Sequence, residues 1–153
     1  MNKIWTIEQL VSRAHWRSRR VVLCLGCFDW AHPGHIRHLQ AAKQLGEALV
    51  VVVTADRFAK LKGPGRPIFN ENERAEMLAA LSCTDFVAIN PYPTAVEVLK
   101  ILKPHFYAKG SDTVQSELFQ LEVAAAAEIG CKVVYTDEKT FHTTDLIARL
   151  KGV

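Results

Sequence analysis

The chain reads Gly26-Cys27-Phe28-Asp29-Trp30-Ala31-His32-Pro33-Gly34-His35 where an apolar run ends and a helical pattern begins. The preceding residues, 21–25, are all apolar, which is the pattern of a short strand buried on both faces. Pro33 suits the first turn of a helix, because the N–H that proline lacks has no partner there. The stretch therefore predicts a strand, a loop and a helix in succession.

Two histidines stand at the start of this predicted helix. His32 and His35 are three residues apart, so they lie on nearly the same side of its first turn. Free N–H groups at a helix N-terminus attract anions, and Gly34 lets a ligand approach the backbone closely. Imidazole can donate a hydrogen bond to a phosphoryl oxygen as charge builds in a transition state. The spacing favours a phosphate site, and the alternative is two surface histidines beside a turn.

Apolar runs and helical patterns alternate along all 153 residues, which we interpret as a single domain, 1–153. We predict strands at 21–25, 48–53, 86–89, 105–108 and 132–135, with a first helix running from Thr6 toward Ser18. Such alternation predicts a Rossmann-like, doubly wound α/β fold with a five-stranded parallel sheet. With strand one at the centre, strands two and three on one side and strands four and five on the other, the order is 3-2-1-4-5. Ligands then bind beyond the carboxyl ends of strands one and four, where the order reverses.

Composition narrows the class of partner. Hydrophobic residues make up 49% and charged residues 23%, as in ordinary globular proteins, and the net charge is +3. This charge suits small anions, while the sequence lacks the dense basic stripe of a nucleic-acid-binding protein. No apolar run is long enough to span a membrane, and the start does not resemble a signal peptide. We therefore expect a cytoplasmic protein with neither nucleic acid nor membrane as a partner.

The cysteines allow a different class of site. Cys24 and Cys27 form a C-x-x-C, but Cys83 and Cys131 supply no second pair for zinc. A redox pair should open a helix, whereas Cys24 lies in the apolar run. We expect buried or loop thiols and no metal ligands. A metal or redox site that combines the pair with nearby histidines, including His38, is the alternative.

Three further segments could meet a nucleotide. Lys60-Leu61-Lys62-Gly63-Pro64-Gly65-Arg66-Pro67 is a cationic loop that could fold over a triphosphate or remain solvated. Lys109-Gly110-Ser111-Asp112 follows the fourth strand, where a lysine can offset phosphate charge and Asp112 could hold a sugar hydroxyl or the base. Phe141-His142-Thr143-Thr144 starts the last helix, where hydroxyls cap the helix or leave its N–H groups to a phosphate.

The G-C-F-D-x-x-H-P-G-H motif resembles the H-x-G-H signature of cytidylyltransferase-like nucleotidyltransferases. These enzymes transfer a nucleoside monophosphate from a nucleoside triphosphate to a phosphorylated acceptor and release pyrophosphate. From about Thr6 to Leu150, the chain is most similar to the heptose-1-phosphate adenylyltransferase type, whose K-G-x-x-R-P, E-x-R and K-G-G-D stretches have counterparts here. The resemblance implies catalytic roles for His32, His35, Lys62 and Lys109, acceptor binding by Asp29 and Arg66, and nucleotide binding by Gly26, Cys27, Phe28, Gly34, His35, Lys109, Asp112, His142, Thr143 and Thr144.

The chain departs from the pattern at several positions. Ser111 replaces a glycine, and His142 replaces the first hydroxyl of a serine/threonine triplet that holds the β- and γ-phosphates in similar families. Asp137 stands where glycerol-phosphate-type cytidylyltransferases have arginine, which favours the adenylyltransferase branch. The resemblance implies transfer of AMP, or CMP, from ATP or CTP to a sugar or polyol phosphate, with Mg²⁺ carried by the nucleotide, and a homodimer. Alternatives are a catalytically weak nucleotide-binding regulatory module and a glycerol-3-phosphate-type cytidylyltransferase.

Overall fold

The computed structural model describes residues 2–13, 16, 18–111, 113–137 and 143–152, with only the backbone at 143–145. Within these residues, one parallel sheet has the strand order β3-β2-β1-β4-β5. Its strands are β1 Val21–Gly26, β2 Ala48–Thr54, β3 Phe86–Asn90, β4 Phe106–Gly110 and β5 Lys132–Thr136. The predicted Rossmann-like α/β fold and its strand order are confirmed.

Helices connect the strands and cover the sheet. They are α1 Ile7–Ser12, α2 Pro33–Lys43, α3 Asp56–Ala59, α4 Glu71–Ala79, α5 Val96–Leu102, α6 Glu117–Glu128 and α7 Thr143–Lys151, with a 3-10 turn at Lys60–Lys62. The prediction that the first helix runs toward Ser18 is wrong. The backbone turns extended at Arg13, and Trp16 then enters the core, where its indole N–H donates to the Leu102 carbonyl oxygen at 3.1 Å.

The sheet is buried on both faces because alternate residues of its central strands pack against different helices. On one face, Leu23 and Val50 belong to an apolar cluster that includes Leu10 of α1 and Leu99 of α5. On the other face, Cys24 and Val51 belong to a second cluster with Leu39 of α2, Ala75 and Leu78 of α4. Burial of one such leucine contributes about 1.5–3 kcal/mol. This two-sided burial explains why β1 and β2 are apolar at every position before their last residues.

The strand order reverses at β1, which pairs with β2 on one side and with β4 on the other. All strands are parallel, so their carboxyl ends meet at one edge of the sheet. The motif loop 27–32, which leaves β1, and Lys109, near the end of β4, therefore reach the same edge. This edge is the expected place for a ligand in an open α/β sheet.

We predict that Gly46→Ala destabilises the fold. Gly46 follows α2 where the chain passes close to β1, and an added Cβ would lie 2.4 Å from the Arg20 carbonyl oxygen and 2.7 Å from Val22 Cγ2. That oxygen accepts the N–H groups of Glu47 and Ala48, so it cannot move freely. We expect urea denaturation to show a loss of about 1–3 kcal/mol in the free energy of unfolding.

Gly152→Ala is the matched control. The nearest atom to its added Cβ is the Ala148 carbonyl oxygen at 3.4 Å, which is ordinary van der Waals contact. We expect a change within about 0.5 kcal/mol. Equal stability of the two variants would contradict the crowding at Gly46.

Candidate active site

A cavity of about 210 Å³ opens at the carboxyl edge of the sheet, between the ends of β1 and β4. The loop after β1, the start of α2, the 3-10 turn with the loop after it, and the end of β4 all contribute to its walls. The cavity brings together many of the residues singled out in the sequence, namely Gly26, Cys27, Phe28, Asp29, Gly34, His35, Lys62, Arg66 and Lys109. Segments that are far apart in sequence thus converge on one place.

The loop after β1 has an unusual backbone. Phe28 and Trp30 have φ of 49° and 59°, a left-handed conformation that non-glycine residues seldom adopt and that is often found at functional sites. The Phe28 ring meets the His35 ring edge-on, with centroids 5.5 Å apart. A Cβ on Gly26 would lie 3.2 Å from the Phe28 ring. Glycine at position 26 therefore leaves the room in which Phe28 packs against His35.

His32 and His35 cap the helix that they begin. His32 Nδ1 accepts the Gly34 N–H at 3.1 Å, and the His32 N–H donates to His35 Nδ1 at 3.3 Å. The two rings are stacked, with centroids 3.8 Å apart. A ring nitrogen that accepts a hydrogen bond carries no proton, so each neutral imidazole has its proton on Nε2. The caps therefore select one tautomer for both rings, with an N–H donor at Nε2.

The two imidazoles differ in access. His35 lines the cavity, whereas His32 is 6% exposed and stacks against the other ring from outside the lining. The cap also corrects one expectation. The Gly34 N–H, which the sequence suggested would be free for an anion, is already bound by His32 Nδ1.

A third histidine, His38, also lines the cavity. Its Nδ1 lies 2.5 Å from Oγ1 of Thr136, the last residue of β5. Sequence reasoning considered His38 only as a possible metal ligand. Its spacing of three from His35 is the signal that places it on the same side of α2, but the partner on β5 is not visible in the sequence.

Asp29 fastens the cationic loop to the site. The carboxylate is 3% exposed and accepts the N–H groups of Ile68 and Phe69 at 2.9 and 3.3 Å. The Arg66 guanidinium lies 3.6 Å from the same carboxylate. Earlier in the loop, Gly63 and Gly65 have positive φ, and an added Cβ would meet nothing within 4 Å of either. The later half of the loop is therefore anchored, while its glycines face open space.

Arg74 supports the same region from α4 and is fully buried. It donates to the Cys27 carbonyl oxygen at 2.6 Å and to the Phe69 carbonyl oxygen at 3.0 Å. Its guanidinium also pairs with Asp56 at 2.7 Å, which holds the short helix α3. Sequence reasoning missed α3 and the 3-10 turn because segments this short show no periodicity, and neither has a side-chain cap.

Positive charge prevails on the walls of the cavity. Lys62, Arg66 and Lys109 line it, and Asp29 contributes the one carboxylate among the described lining residues. Burial lowers the pKa of the Lys109 ammonium, and the Glu122 carboxylate acts in the opposite direction. Such a surface favours an anion with several charges, such as a triphosphate.

The cysteine pair has separate surroundings. Cys24 is fully buried in an apolar cluster, and burial raises its pKa to about 12, so the thiol stays neutral. Cys27 lies on the cavity side, with Sγ 3.7 Å from the Arg74 guanidinium. In the part of the chain that the structure describes, no cluster of three His, Cys, Asp or Glu side chains is suited to a metal ion.

Some of the expected site residues cannot be placed. Asp112 and His142 lie outside the described residues. Thr143 and Thr144 open helix α7, but their side chains are not described. None of the described helices is long and apolar enough to cross a membrane.

Known proteins show the same fold and sequence pattern. The chain is 35% identical over 150 residues to the bifunctional protein HldE of Helicobacter pylori (strain Shi470), a match that covers 97% of this chain and 31% of that protein. HldE of Campylobacter jejuni subsp. doylei (strain ATCC BAA-1458 / RM4099 / 269.97) is 37% identical over 151 residues, with 97% and 32% covered. The chain therefore spans about a third of the length of these curated relatives.

A solved structure agrees over most of its length. The lipopolysaccharide core biosynthesis protein from Thermoplasma volcanium GSS1 matches with a TM-score of 0.70 and 30% identity, over 80% of this chain and 99% of that one. The Cytidylyltransferase-like family model matches residues 23–149. The resemblance seen in the H-x-G-H motif is thus confirmed, and the chain belongs to the cytidylyltransferase-like family of nucleotidyltransferases.

Proposed function

We propose that this chain transfers AMP, or CMP, from ATP or CTP to a sugar or polyol phosphate and releases pyrophosphate. The observation that carries the proposal is the pair of imidazoles of His32 and His35, which cap helix α2 and lie beside a cavity that three cationic side chains line. The adenylyl branch is preferred because the stretch 62–67 resembles the K-G-x-x-R-P of the heptose-1-phosphate adenylyltransferase type, and because Asp137 stands where glycerol-phosphate-type cytidylyltransferases have arginine.

The reaction would be a direct displacement at phosphorus. An oxygen of the acceptor phosphate attacks the α-phosphorus of the nucleotide, and the bond from that phosphorus to the bridging oxygen breaks. The electron pair leaves with pyrophosphate. Because the second pKa of a phosphate monoester is about 6, the attacking oxygen is largely anionic near neutral pH and needs no strong general base. Catalysis then depends on in-line positioning and on stabilisation of the spread charge.

The chain's own residues divide this work. His35, with His32 stacked against it, donates a hydrogen bond through Nε2 to the phosphates. Lys62 and Lys109 offset the charge of the triphosphate, while Gly26, Cys27, Phe28 and Gly34 shape the nucleotide side. Asp29 and Arg66 form the acceptor side, since both lie where the cationic loop reaches the cavity. Asp112, His142, Thr143 and Thr144 complete the nucleotide contacts by family resemblance.

Magnesium belongs to this proposal as part of the substrate. Mg²⁺ prefers several carboxylate, phosphate and water oxygens. Asp29 is already bound to backbone N–H groups and to Arg66, so the described lining residues provide no carboxylate cluster for a resident ion. They suit a metal that enters with the nucleotide. A homodimer and a cytoplasmic location are further parts of the proposal.

The deciding experiment measures pyrophosphate release from ATP and CTP with a panel of acceptors. The panel contains heptose and hexose 1-phosphates, ribitol phosphate and glycerol 3-phosphate. Adenylyl transfer to a sugar phosphate supports the proposal, and turnover limited to CTP with glycerol 3-phosphate replaces it with the glycerol type. Nucleotide binding by calorimetry without turnover on any acceptor assigns the chain to a regulatory module.

We predict that the loss of either imidazole, His32 or His35, lowers kcat while the protein still folds. His35→Ala removes a preorganised donor and is expected to lower kcat by about 10², because such a donor contributes roughly 2.7–4 kcal/mol to transition-state stabilisation. In His32→Asn, the amide oxygen can still accept the Gly34 N–H, so the helix cap is kept while the imidazole is lost. We expect about tenfold or greater loss of kcat with near-wild-type melting temperature.

The control is His105→Asn. His105 is exposed and lies at the opposite edge of the sheet, at the start of β1. Its backbone N–H donates to the Val21 carbonyl oxygen, and its Nδ1 accepts the Val21 N–H at 3.1 Å, a bond that the asparagine oxygen can replace. This variant should turn over like wild type. Near-wild-type kcat in folded His35→Ala would remove that ring from the mechanism. Because the two rings are in contact, the double variant should lose less than the sum of the single losses.

A separate prediction concerns the anchor of the loop. Asp29→Ala removes the acceptor of the Ile68 and Phe69 N–H groups, so hydrogen exchange of these amides should become about tenfold faster or more. The amides of Asn72 and Glu73 serve as an internal control, because Asn70 caps them independently. Uniform acceleration of all four amides would indicate general destabilisation and not a loop anchor.

A further inference from the structure

The Lys109 ammonium lies near the rings of two aromatic residues that do not themselves line the cavity. Its Nζ is 5.3 Å from the centroid of the Tyr107 ring and 5.9 Å from that of Phe119. Tyr107 precedes Lys109 by two residues on β4, so both side chains lie on one face of the sheet. Phe119 comes from the first turn of α6. Nζ also donates to the Leu25 carbonyl oxygen at 3.4 Å.

A carboxylate lies behind these rings. Glu122 of α6 accepts the Tyr107 hydroxyl at 3.0 Å through Oε2 and the Ala95 N–H at 3.0 Å through Oε1. These donors belong to β4 and to the start of α5, so the carboxylate is held between two elements. Tyr107 itself is completely buried. In the described part of the chain, no ion pair within 4 Å joins Glu122 to Lys109.

We propose that Glu122 and Tyr107 are positioning residues for Lys109, which keep its ammonium charged while leaving for phosphate the N–H donors that Leu25 does not use. This inference rests on the proposed function, in which Lys109 binds the nucleotide. A carboxylate in direct contact would satisfy the ammonium and compete with the phosphate. Here the hydrogen bonds from Tyr107 and Ala95 hold the Glu122 carboxylate away from the ammonium, so that it acts on Lys109 only through its electrostatic field. The Tyr107 ring meanwhile supports the cation, as aromatic faces do.

The electrostatics of Lys109 agree with this arrangement. Burial lowers the pKa of its ammonium, the Glu122 carboxylate acts to raise it, and Lys62 acts to lower it. Burial raises the pKa of the Cys24 thiol to about 12 and raises the pKa of Tyr107 well above its usual value, so both groups stay neutral at pH 7 and pH 9. Cys27, Lys62, Asp29, Arg66, His35 and His38 also line the cavity, but they are identical in all the variants compared.

The first test follows Lys109 itself in nucleotide-free protein. Lysine side chains are labelled with ¹³C and ¹⁵N and titrated by NMR, and Lys109→Arg identifies the signal. Glu122→Gln keeps one acceptor oxygen, for the Ala95 N–H, and its amide N–H can donate to the Tyr107 hydroxyl oxygen. Because the charge is removed, the pKa of Lys109 should fall. The matched control is Glu128→Gln, an exposed glutamate on the same helix, which should leave the titration unchanged.

Tyr107→Phe is expected to shift the pKa of Lys109 in the opposite direction. It keeps the ring but frees Glu122 from one donor, so the carboxylate can turn to the ammonium and the pKa of Lys109 should rise. Tyr135→Phe, at a half-exposed tyrosine on β5, is the control. Opposite shifts in the two variants support the proposal. Shifts of the same sign, or no shift in either, overturn it.

The second test measures the Kd of ATP by calorimetry at pH 7 and pH 9. A lysine binds an anion in its charged form, which is lost as pH rises through its pKa, so a lower pKa moves that loss to lower pH. We expect the Glu122→Gln defect to be larger at pH 9 than at pH 7, by the factor that the Lys109 pKa values measured by NMR in the two proteins give. If the NMR shifts appear but ATP does not bind, the proposed function fails, and what stands is the effect of Glu122 and Tyr107 on the charge of Lys109. Absence of the NMR shifts refutes the positioning role whatever the activity.

Discussion

The hydrogen bonds that start helix α2 are the constraint on which the site depends. His32 Nδ1 accepts the Gly34 N–H, and His35 Nδ1 accepts the His32 N–H. Helix caps are ordinarily made by serine, threonine, aspartate or asparagine, whose side chains have no further task. Here the capping atoms belong to the rings proposed to bind phosphate. The bonds that begin the helix therefore also determine the orientation and the tautomer of both imidazoles.

Around this pair, the site is held by buried polar contacts that cross between segments. Arg74 joins the loop after β1 to the cationic loop and to α3. A buried guanidinium is expensive to desolvate unless all its partners are in place, so these three attachments depend on one another. Asp29 adds a second link between the same two loops. The position of Arg66 is thus set by residues that are themselves anchored at β1 and α4.

Local signals explain how much could be predicted from the sequence. The apolar run at 21–25 and Pro33 define β1 and the start of α2, because burial on both faces and the demands of a first helical turn act within a few residues. The alternation of elements predicted the parallel sheet, and the strand order followed once strand one was placed at its centre. Convergence of the motif loop with Lys109 then followed from the parallel sheet.

The features that escaped prediction depend on contacts distant in sequence. The first helix ends early, at Ser12, and Trp16 then packs beneath Leu102. The contact between His38 and Thr136 spans 98 positions, and that between Tyr107 and Glu122 links a strand to a later helix. The resemblance predicted that Asp29 binds the acceptor. In the structure, its carboxylate also accepts the Ile68 N–H and so anchors the end of the loop that leads to α4. No local pattern encodes such pairings.

The uneven anchoring of the cationic loop has an entropic consequence. Ordering a backbone residue costs about 1–2 kcal/mol, and a loop that must be ordered by its ligand subtracts this cost from the affinity. Asp29 already fixes Ile68 and Phe69, so the entropic cost of ordering these residues belongs to folding and does not reduce the affinity for a ligand. Around Gly63 and Gly65, an added Cβ would meet nothing within 4 Å, so this segment lacks the tight packing of the anchored end of the loop. Lys62 therefore lies beside a segment that a bound polyanion has to order, which reduces the affinity for the polyanion and favours its release.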